Sequence, residues 1–496
     1  MKMFLKIVFT VLNIVLFVFL SKAQVLEFNK TYGEMTYNYG QRIIQASDKG
    51  YFILGNESGD IGNTNIHIIR TDSLGTILFE KIIGDASLYW ANDFKRTSDK
   101  GLLITGFTNS NPDKGYDVLL IKTDSNANVE WQKTYGGDNW DMANAVVETK
   151  DSAYLVVGET YSYGPANENI YIIKTNFNGD TIWTRTFGGD STDYAMAADV
   201  LFDSSYLIGA TTNSFGHGNF DGYVLNLTKN GDTIWTQTFG EDKEDILNSI
   251  KQTPDSGFVF VGSTTSYNAI QHENWLMRFD KSKNFVWKIP EFWQILSGDD
   301  VFTDVIITDS AQYAISGYST SIGNGGYDAV FYLMGEFPIF KCSHSDGSSG
   351  DEKAFQVIQT EDKAFAIIGN TNNMGISLSN IYLIKMGLDC SYSNTTQSIV
   401  GLNHQFSTSF IKSVSVSPTL SGGIFLISFP ESLITNYKIV ISDIQGRIIL
   451  TDNIQNQQYQ TYKVDLSSVT NGMYFITVID EQSFNTIKVV KVGNLP

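Results

Sequence analysis

Apolar residues recur along this chain in short runs of about five to seven, each bounded by Gly, Asn, Asp or Ser, and the runs come in groups of four that repeat about every 52 residues. In one group the runs are 143–149, 154–158, 169–175 and 181–187, rich in β-branched and aromatic residues, the last alternating polar and apolar. Runs of that length and composition predict strands. Asn178-Gly179, and Asn230-Gly231 one repeat later, sit between the third and fourth runs. Asn-Gly supplies the positive φ angles of a tight hairpin. No stretch shows sustained helical periodicity, so the reading is all-β.

Three marks keep the period. An aromatic follows a turn at Phe28, Phe79, Trp131, Trp183, Trp235, Trp287 and Phe340, in steps of 51 to 53. A glycine recurs at Gly55, Gly106, Gly158, Gly209, Gly262, Gly317 and Gly369. An Asp or Asn opens the third run at Asn65, Asp117, Asn169, Asp221, Asn274, Asp328 and Asn380. Four antiparallel strands per unit, repeated around an axis, make a β-propeller blade. An open solenoid has no need of a four-strand unit. With the strands named A to D, the first D copy, residues 25–32, precedes every A strand, and the last unit ends after its C strand. The pattern therefore predicts a seven-bladed propeller whose ring is closed by the N-terminal strand, which removes a free sheet edge. The aromatics should pack between blades, the glycines should admit close backbone approach, and the Asp/Asn series should bond local backbone. Asp124-Ser125-Asn126-Ala127-Asn128 resembles the start of an EF-hand loop but has Val129 where the glycine belongs, and it falls in a C–D hairpin; a turn is expected there.

The period stops near Cys390. Residues 391–412 are Ser/Thr/Asn-rich and read as a linker, and residues 413–496 read as a separate small antiparallel, Ig-like β-sandwich. This last segment resembles the C-terminal sorting domain of cargo proteins of the type IX secretion system of Bacteroidota. The resemblance is carried by Asp443, Gly446 and Arg447, by Leu466, by Gly472-Met473-Tyr474, and by Lys488 to Lys491. The Pro-Asn-Pro opening usual in that family is replaced by Ser417-Pro418-Thr419 followed by Gly422. The resemblance implies recognition by the type IX apparatus and passage through the outer membrane. The repeat region also resembles uncharacterised propeller proteins of such bacteria, which implies a fold and no activity.

Residues 1–23 carry Lys2 and Lys6, an apolar stretch from Ile7 to Leu20, and Ser-Lys-Ala, as a cleaved signal peptide does. That leaves residues 24–390 for the propeller and no membrane-spanning segment in the mature chain. The first 23 residues hold three lysines and no acid, so the net charge of −19 becomes −22 without them. Such a balance argues against nucleic acid, which needs clustered Lys and Arg. Export permits a disulfide, and Cys342 and Cys390 are the only cysteines; a bond or two free thiols stay open.

Catalytic signatures are thin. His67, His217, His272, His344 and His404 form no zinc motif, and there is no G-x-S-x-G elbow or phosphate loop. One acidic pattern recurs in the D–A loops. Asp138, Asp190 and Asp242 each lie seven residues beyond their Trp, and Asp141, Asp193 and Asp245 lie ten beyond. Gathered on one face, these carboxylates could hold Ca²⁺, which prefers oxygen ligands; otherwise they bond loop amides. No other cofactor is indicated. The expectation is a secreted or surface propeller that binds an extracellular glycan or protein without catalysis. The rivals are a polysaccharide hydrolase or lyase, or a purely structural surface protein. A dense, non-repeating set of polar and aromatic residues at one channel mouth would favour the enzyme, and the irregular sixth unit, with Pro290-Glu291-Phe292-Trp293 and Gly298-Asp299-Asp300, is one place to look.

Overall fold

The computed structural model describes residues 27–33, 37–58, 64–85, 87–111, 115–165, 168–267, 269, 271–289, 298–323, 325–335, 340–372, 379–388, 390, 415–417, 420–421, 423–428, 437–443, 448–454, 461–479 and 484–491. The signal segment, the linker, Gly446, Arg447 and residues 290–297 lie outside them. Every element among the described residues is a strand or a connection between strands.

Seven four-stranded antiparallel sheets follow one another. Blades 1 to 6 span residues 37–83, 89–135, 141–187, 193–239, 245–289 and 300–346. Blade 7 takes three strands from residues 352–386 and its fourth from Phe28–Tyr32. Consecutive A strands touch all the way round, blade 7 to blade 1 included, so the A strands line the axis and the ring is closed. Burial follows from this layering. The C strand Asn169–Thr175 is buried along its whole length because neighbouring blades cover both of its faces. The outer strand Thr181–Phe187 alternates exposed and half-buried positions because one of its faces meets water. That is why the inner runs are continuously apolar and the fourth run alternates.

The D-strand aromatics pack across seams. Trp131 lies 6.3 Å from Tyr154, Trp235 5.8 Å from Phe258, Trp287 5.4 Å from Tyr313 and Phe28 6.1 Å from Tyr51, each partner standing at the start of the next blade's B strand. The glycines serve a β-bulge. Ala143 pairs with Gly158 and Ala145 with Val157, so Asn144 is the extra residue. A Cβ on Gly158 would lie 2.0 Å from the Met142 carbonyl oxygen.

Register corrects three positions in the repeated series. Opposite the bulge of blade 4 stands Ala210, not Gly209; alanine carries the smallest side chain that can stand in for glycine there. Glu273, rather than Asn274, opens the C strand of blade 5. In blade 6 the place of the D-strand aromatic falls to Cys342, paired with Leu333 as Trp183 is paired with Lys174, so Phe340 is out of step. Cys342 forms a disulfide with Cys390, Cα atoms 5.8 Å apart, tying blade 6 to the chain just past blade 7.

A buried cation sits in the C strand of five blades and meets an acid of its own A–B turn: Arg70 with Asp48, Lys122 with Asp99, Lys174 with Asp151, Arg278 with Asp255 and Lys385 with Asp362, at 2.5–2.9 Å. Burial alone would raise the Asp99 carboxyl. Hydrogen bonds from Thr97 and Lys122 outweigh it and lower the carboxyl to about 2. Asn226 and Leu333 replace the cation in blades 4 and 6. In the C–D hairpin of blade 2, Asp124 accepts from the amides of Asn126 and Asn128 at 2.8 and 2.9 Å, as a turn residue.

The closing strand pairs Phe28 with Lys385 through Tyr32 with Ile381. The Tyr32 hydroxyl donates to the Gly75 carbonyl at 2.8 Å in blade 1, and the Gly40 amide donates to Asn370 Oδ1 at 2.6 Å. The C-terminal unit is a sandwich of a three-stranded and a five-stranded sheet. Its core holds Phe425, Ile427, Ile439, Ile441, Tyr474, Ile476 and Val489. One short parallel pairing, Leu420 with Val490, departs from the antiparallel pattern.

Candidate functional site at the channel mouth

With the A strands innermost, the D–A and B–C connections open on one face around the axis. The acidic pattern of the D–A loops lies here. Asp141, Asp193 and Asp245 are fully buried. Each accepts from its own loop, from the amides of Gly137, Gly189 and Glu241 at 2.8–2.9 Å. Each also accepts a hydroxyl from just past the B strand, from Ser162, Ser214 and Ser266 at 2.6–2.8 Å. They pin the D–A loop to the B–C loop of the same blade. Asp138, Asp190 and Asp242 are exposed on those loops. Among the described residues no three His, Cys, Asp or Glu side chains are grouped so as to hold a metal ion.

Acids also meet across the seams. A Cβ on Gly136 would lie 2.3 Å from Asp117 Oδ1 and 2.6 Å from Asp141 Oδ2, and one on Gly240 2.0 Å from Asp221 Oδ1 and 2.7 Å from Asp245 Oδ2. At the next seam the pair is Glu273 and Asp300, 5% and 4% exposed. Among the described residues Glu273 Oε2 has no hydrogen-bond partner. Burial, and then the Asp300 charge, push the Glu273 carboxyl up to about 7. A buried acid with a raised pKa stabilises as its neutral form, and that stability is lost as pH rises through the folded value. Glu273→Gln is therefore expected to raise stability at pH 8, with a ceiling of about 3 kcal/mol, and to gain little at pH 5. Calorimetry across that range checks it; a pH-independent effect would count against the burial argument.

The same mouth carries a continuous line of aromatic rings, one pair of which, Phe107 and Tyr116, recurs as Tyr318 and Tyr327 in blade 6. Tyr37 stacks on Tyr39 at 6.4 Å, Tyr39 meets Trp90 at 5.6 Å, and Trp90 stacks on Phe107 at 6.3 Å. Phe107 meets Tyr116 edge-on at 5.3 Å, Tyr116 meets Trp140 at 5.3 Å, and Trp140 meets Tyr161 at 6.1 Å. The arc crosses blades 1 to 3, with Tyr37 42% and Trp140 51% exposed and the rings between them half-buried. At its other end the Tyr161 hydroxyl donates to Glu168 Oε2 at 2.8 Å, and Asn144 Nδ2 reaches Glu159 Oε2 at 3.3 Å. Burial, and then Glu168, raise the Glu159 carboxyl to about 7. At the position of Trp90 the other blades carry Tyr39, Met142, Tyr194, Ile246, Val301 and Lys353. Residues repeated in every blade serve every blade; departures at the channel mouth are free for a ligand. Reading the blades against one another for such departures is the sequence signal for this arc, which spacing alone did not reveal.

In the irregular sixth unit, Asp299 accepts from the His272 amide at 3.2 Å and from the Tyr327 hydroxyl at 3.3 Å, while Lys353 stands 3.7 Å over the Tyr327 ring. A cavity of 590 Å³ opens at the seam of blades 4 and 5, lined by Phe239, Met277, Phe279, Phe285 and Lys288, and shares no residue with the arc.

Most of the described sorting marks gather at one turn of the C-terminal sandwich. Leu466 and Tyr474 are core residues. The Tyr474 hydroxyl donates to the Thr470 carbonyl at 2.6 Å. The buried Lys491 ammonium donates to the carbonyls of Ser467, at 3.0 Å, and Val469. Gly472 pairs with Lys491, Asp443 with Tyr474 and Lys488 with Phe475 along the sheet. The marks therefore hold the 466–472 turn against the closing strand.

Residues 416–492 match the family profile of the secretion system C-terminal sorting domain. No curated protein matches the chain. Among solved structures, the β-propeller domain of the Trilobed protease from Pyrococcus furiosus, described as an open velcro topology, is similar at 10% identity and a TM-score of 0.41, over 72% of this chain and 99% of that one. Puromycin hydrolase is similar at 8% identity and a TM-score of 0.44, over 79% of this chain and 58% of its own. At such scores neither likeness bears on activity.

Proposed function

We propose that this chain, a secreted cargo by its sorting domain, works outside the outer membrane as a non-catalytic binding protein for an extracellular glycan or protein, with the D–A/B–C mouth of the propeller as its working face. One observation carries the reading: the continuous aromatic arc of blades 1 to 3 stands half-exposed where a rigid scaffold gathers its loops, and binding residues concentrate at such places. The repeated residues of that face are taken up by the fold, Asp141, Asp193 and Asp245 included, so the bound state is expected to be indifferent to calcium. The test is solid-phase binding of the secreted full-length cargo to arrays of glycans and matrix proteins, with calcium and with chelator. Binding to neither class overturns the reading, and binding lost on chelation returns the loop acids to the site.

A second reading is hydrolysis on the same face. It is favoured by Glu159 and Glu168, two neighbouring carboxyls whose pKa values burial raises. Release of reducing ends from a bound glycan, lost in Glu159→Gln, would establish it.

A further inference from the structure

Resting on that working face, we infer that the arc from Tyr37 to Tyr161 is a platform for a linear, uncharged carbohydrate chain. The rings form a strip one ring wide across three blades, each in edge, tilted or stacked contact with the next at 5.3–6.4 Å. They are held before any ligand arrives, so little side-chain entropy is lost on binding. A narrow strip suits a polymer laid lengthwise. A folded partner needs a broad patch of about 800 Å² around a central anchor. Sugar rings present an apolar C–H face and a rim of hydroxyls. Tyr and Trp present the matching surface, a flat apolar body with a polar tip.

Charge then selects within polymers. Glu159 and Glu168 stand at the Tyr161 end, and the exposed Asp138 stands two residues before Trp140. Among the described residues, Arg42 is engaged by Asp93 at 3.4 Å and Lys353 stands over Tyr318 and Tyr327. An aromatic row that takes single-stranded nucleic acid lies in a basic groove; this one ends on carboxylates. Uronate and sulfated chains meet the exposed Asp138 beside Trp140, while neutral hydroxyls find acceptors in Glu159 and Glu168.

The experiment is affinity electrophoresis of the intact secreted protein in gels holding a soluble neutral glucan, a neutral mannan or a polyuronate, with tryptophan fluorescence as a second readout. Retardation is expected in at least one neutral polymer and none in the polyuronate. Tyr37→Ala/Trp140→Ala, both exposed and so safe for the fold, should weaken binding at least tenfold. Trp235→Phe, remote from the arc, should leave it unchanged. Binding to the polyuronate alone overturns the ligand class. So does capture of a matrix protein that is lost in the double variant, and both results leave the working face standing. Neutral-glucan binding that survives the double variant overturns the working face as well.

Discussion

A chain lacking residues 27–33 is expected to lose more than about 5 kcal/mol of stability and to self-associate. Phe28–Tyr32 is the fourth strand of the last blade, and Tyr32 is 5% exposed in a core with Tyr51, Ile53, Ile381 and Leu383. Truncating one buried aromatic costs about 3–5 kcal/mol, and this deletion removes Tyr32 together with Phe28, which packs against the same core. It also uncovers the strand Asn380–Met386 as a raw edge that can pair with another chain. The check is denaturant unfolding and light scattering of the deleted chain, then addition of a peptide of residues 27–33. The peptide should dock as a donated strand and restore the monomer. An unchanged midpoint without the peptide would mean that the ring holds through its A-strand contacts alone.

Cys342→Ser/Cys390→Ser is expected to cost about 2–4 kcal/mol, the usual range for closing a loop of this order. The bond spans 48 residues, three of the four strands of blade 7 among them. It occupies the one outer-strand position where a blade has no aromatic and no buried cation behind it, since Leu333 faces Cys342. Both partners are replaced so that no lone thiol remains. Matching melts of the oxidised protein, the reduced protein and the double variant check the prediction. Equal stability in all three would leave the bond without structural consequence.

The period, the strand count and the closing strand were legible because each blade must solve the same packing problem with the same residue types. Three positions slipped by one or two, at Gly209, Asn274 and Phe340. At Gly209 and Asn274 residue type was followed one residue off the places that register gives to Ala210 and Glu273, and the longer connection into blade 6 moves the place of Phe340 to Cys342. The buried cations were not legible. Lys122 and Lys174 sit at strand ends where a lysine ordinarily reaches water, and their partners Asp99 and Asp151 arrive from turns 23 residues earlier. Those A–B turns take positive φ at Lys49, Lys100, Ser152, Ser204, Ser256, Ala311 and Lys363, none of them a glycine, although Gly50, Gly101 and Gly257 follow in three of the turns. The loop acids were read in the right loops. The arc was not read, because Tyr39, Phe107, Tyr116 and Trp140 come from different elements and no motif spaces them.

The strand at residues 28–32 has a consequence in time. Its partners, residues 381–385, lie at the far end of the propeller sequence. Six blades can form from neighbours in sequence. The seventh must wait for nearly the whole chain, and contacts of such separation form late and slowly. Residue 416, where the sorting match begins, follows the last C strand closely. A chain emerging N-terminus first therefore presents its sorting signal almost as soon as the ring can shut. A chain cut short before its last C strand therefore lacks both the partner of residues 28–32 and the segment that matches the sorting domain.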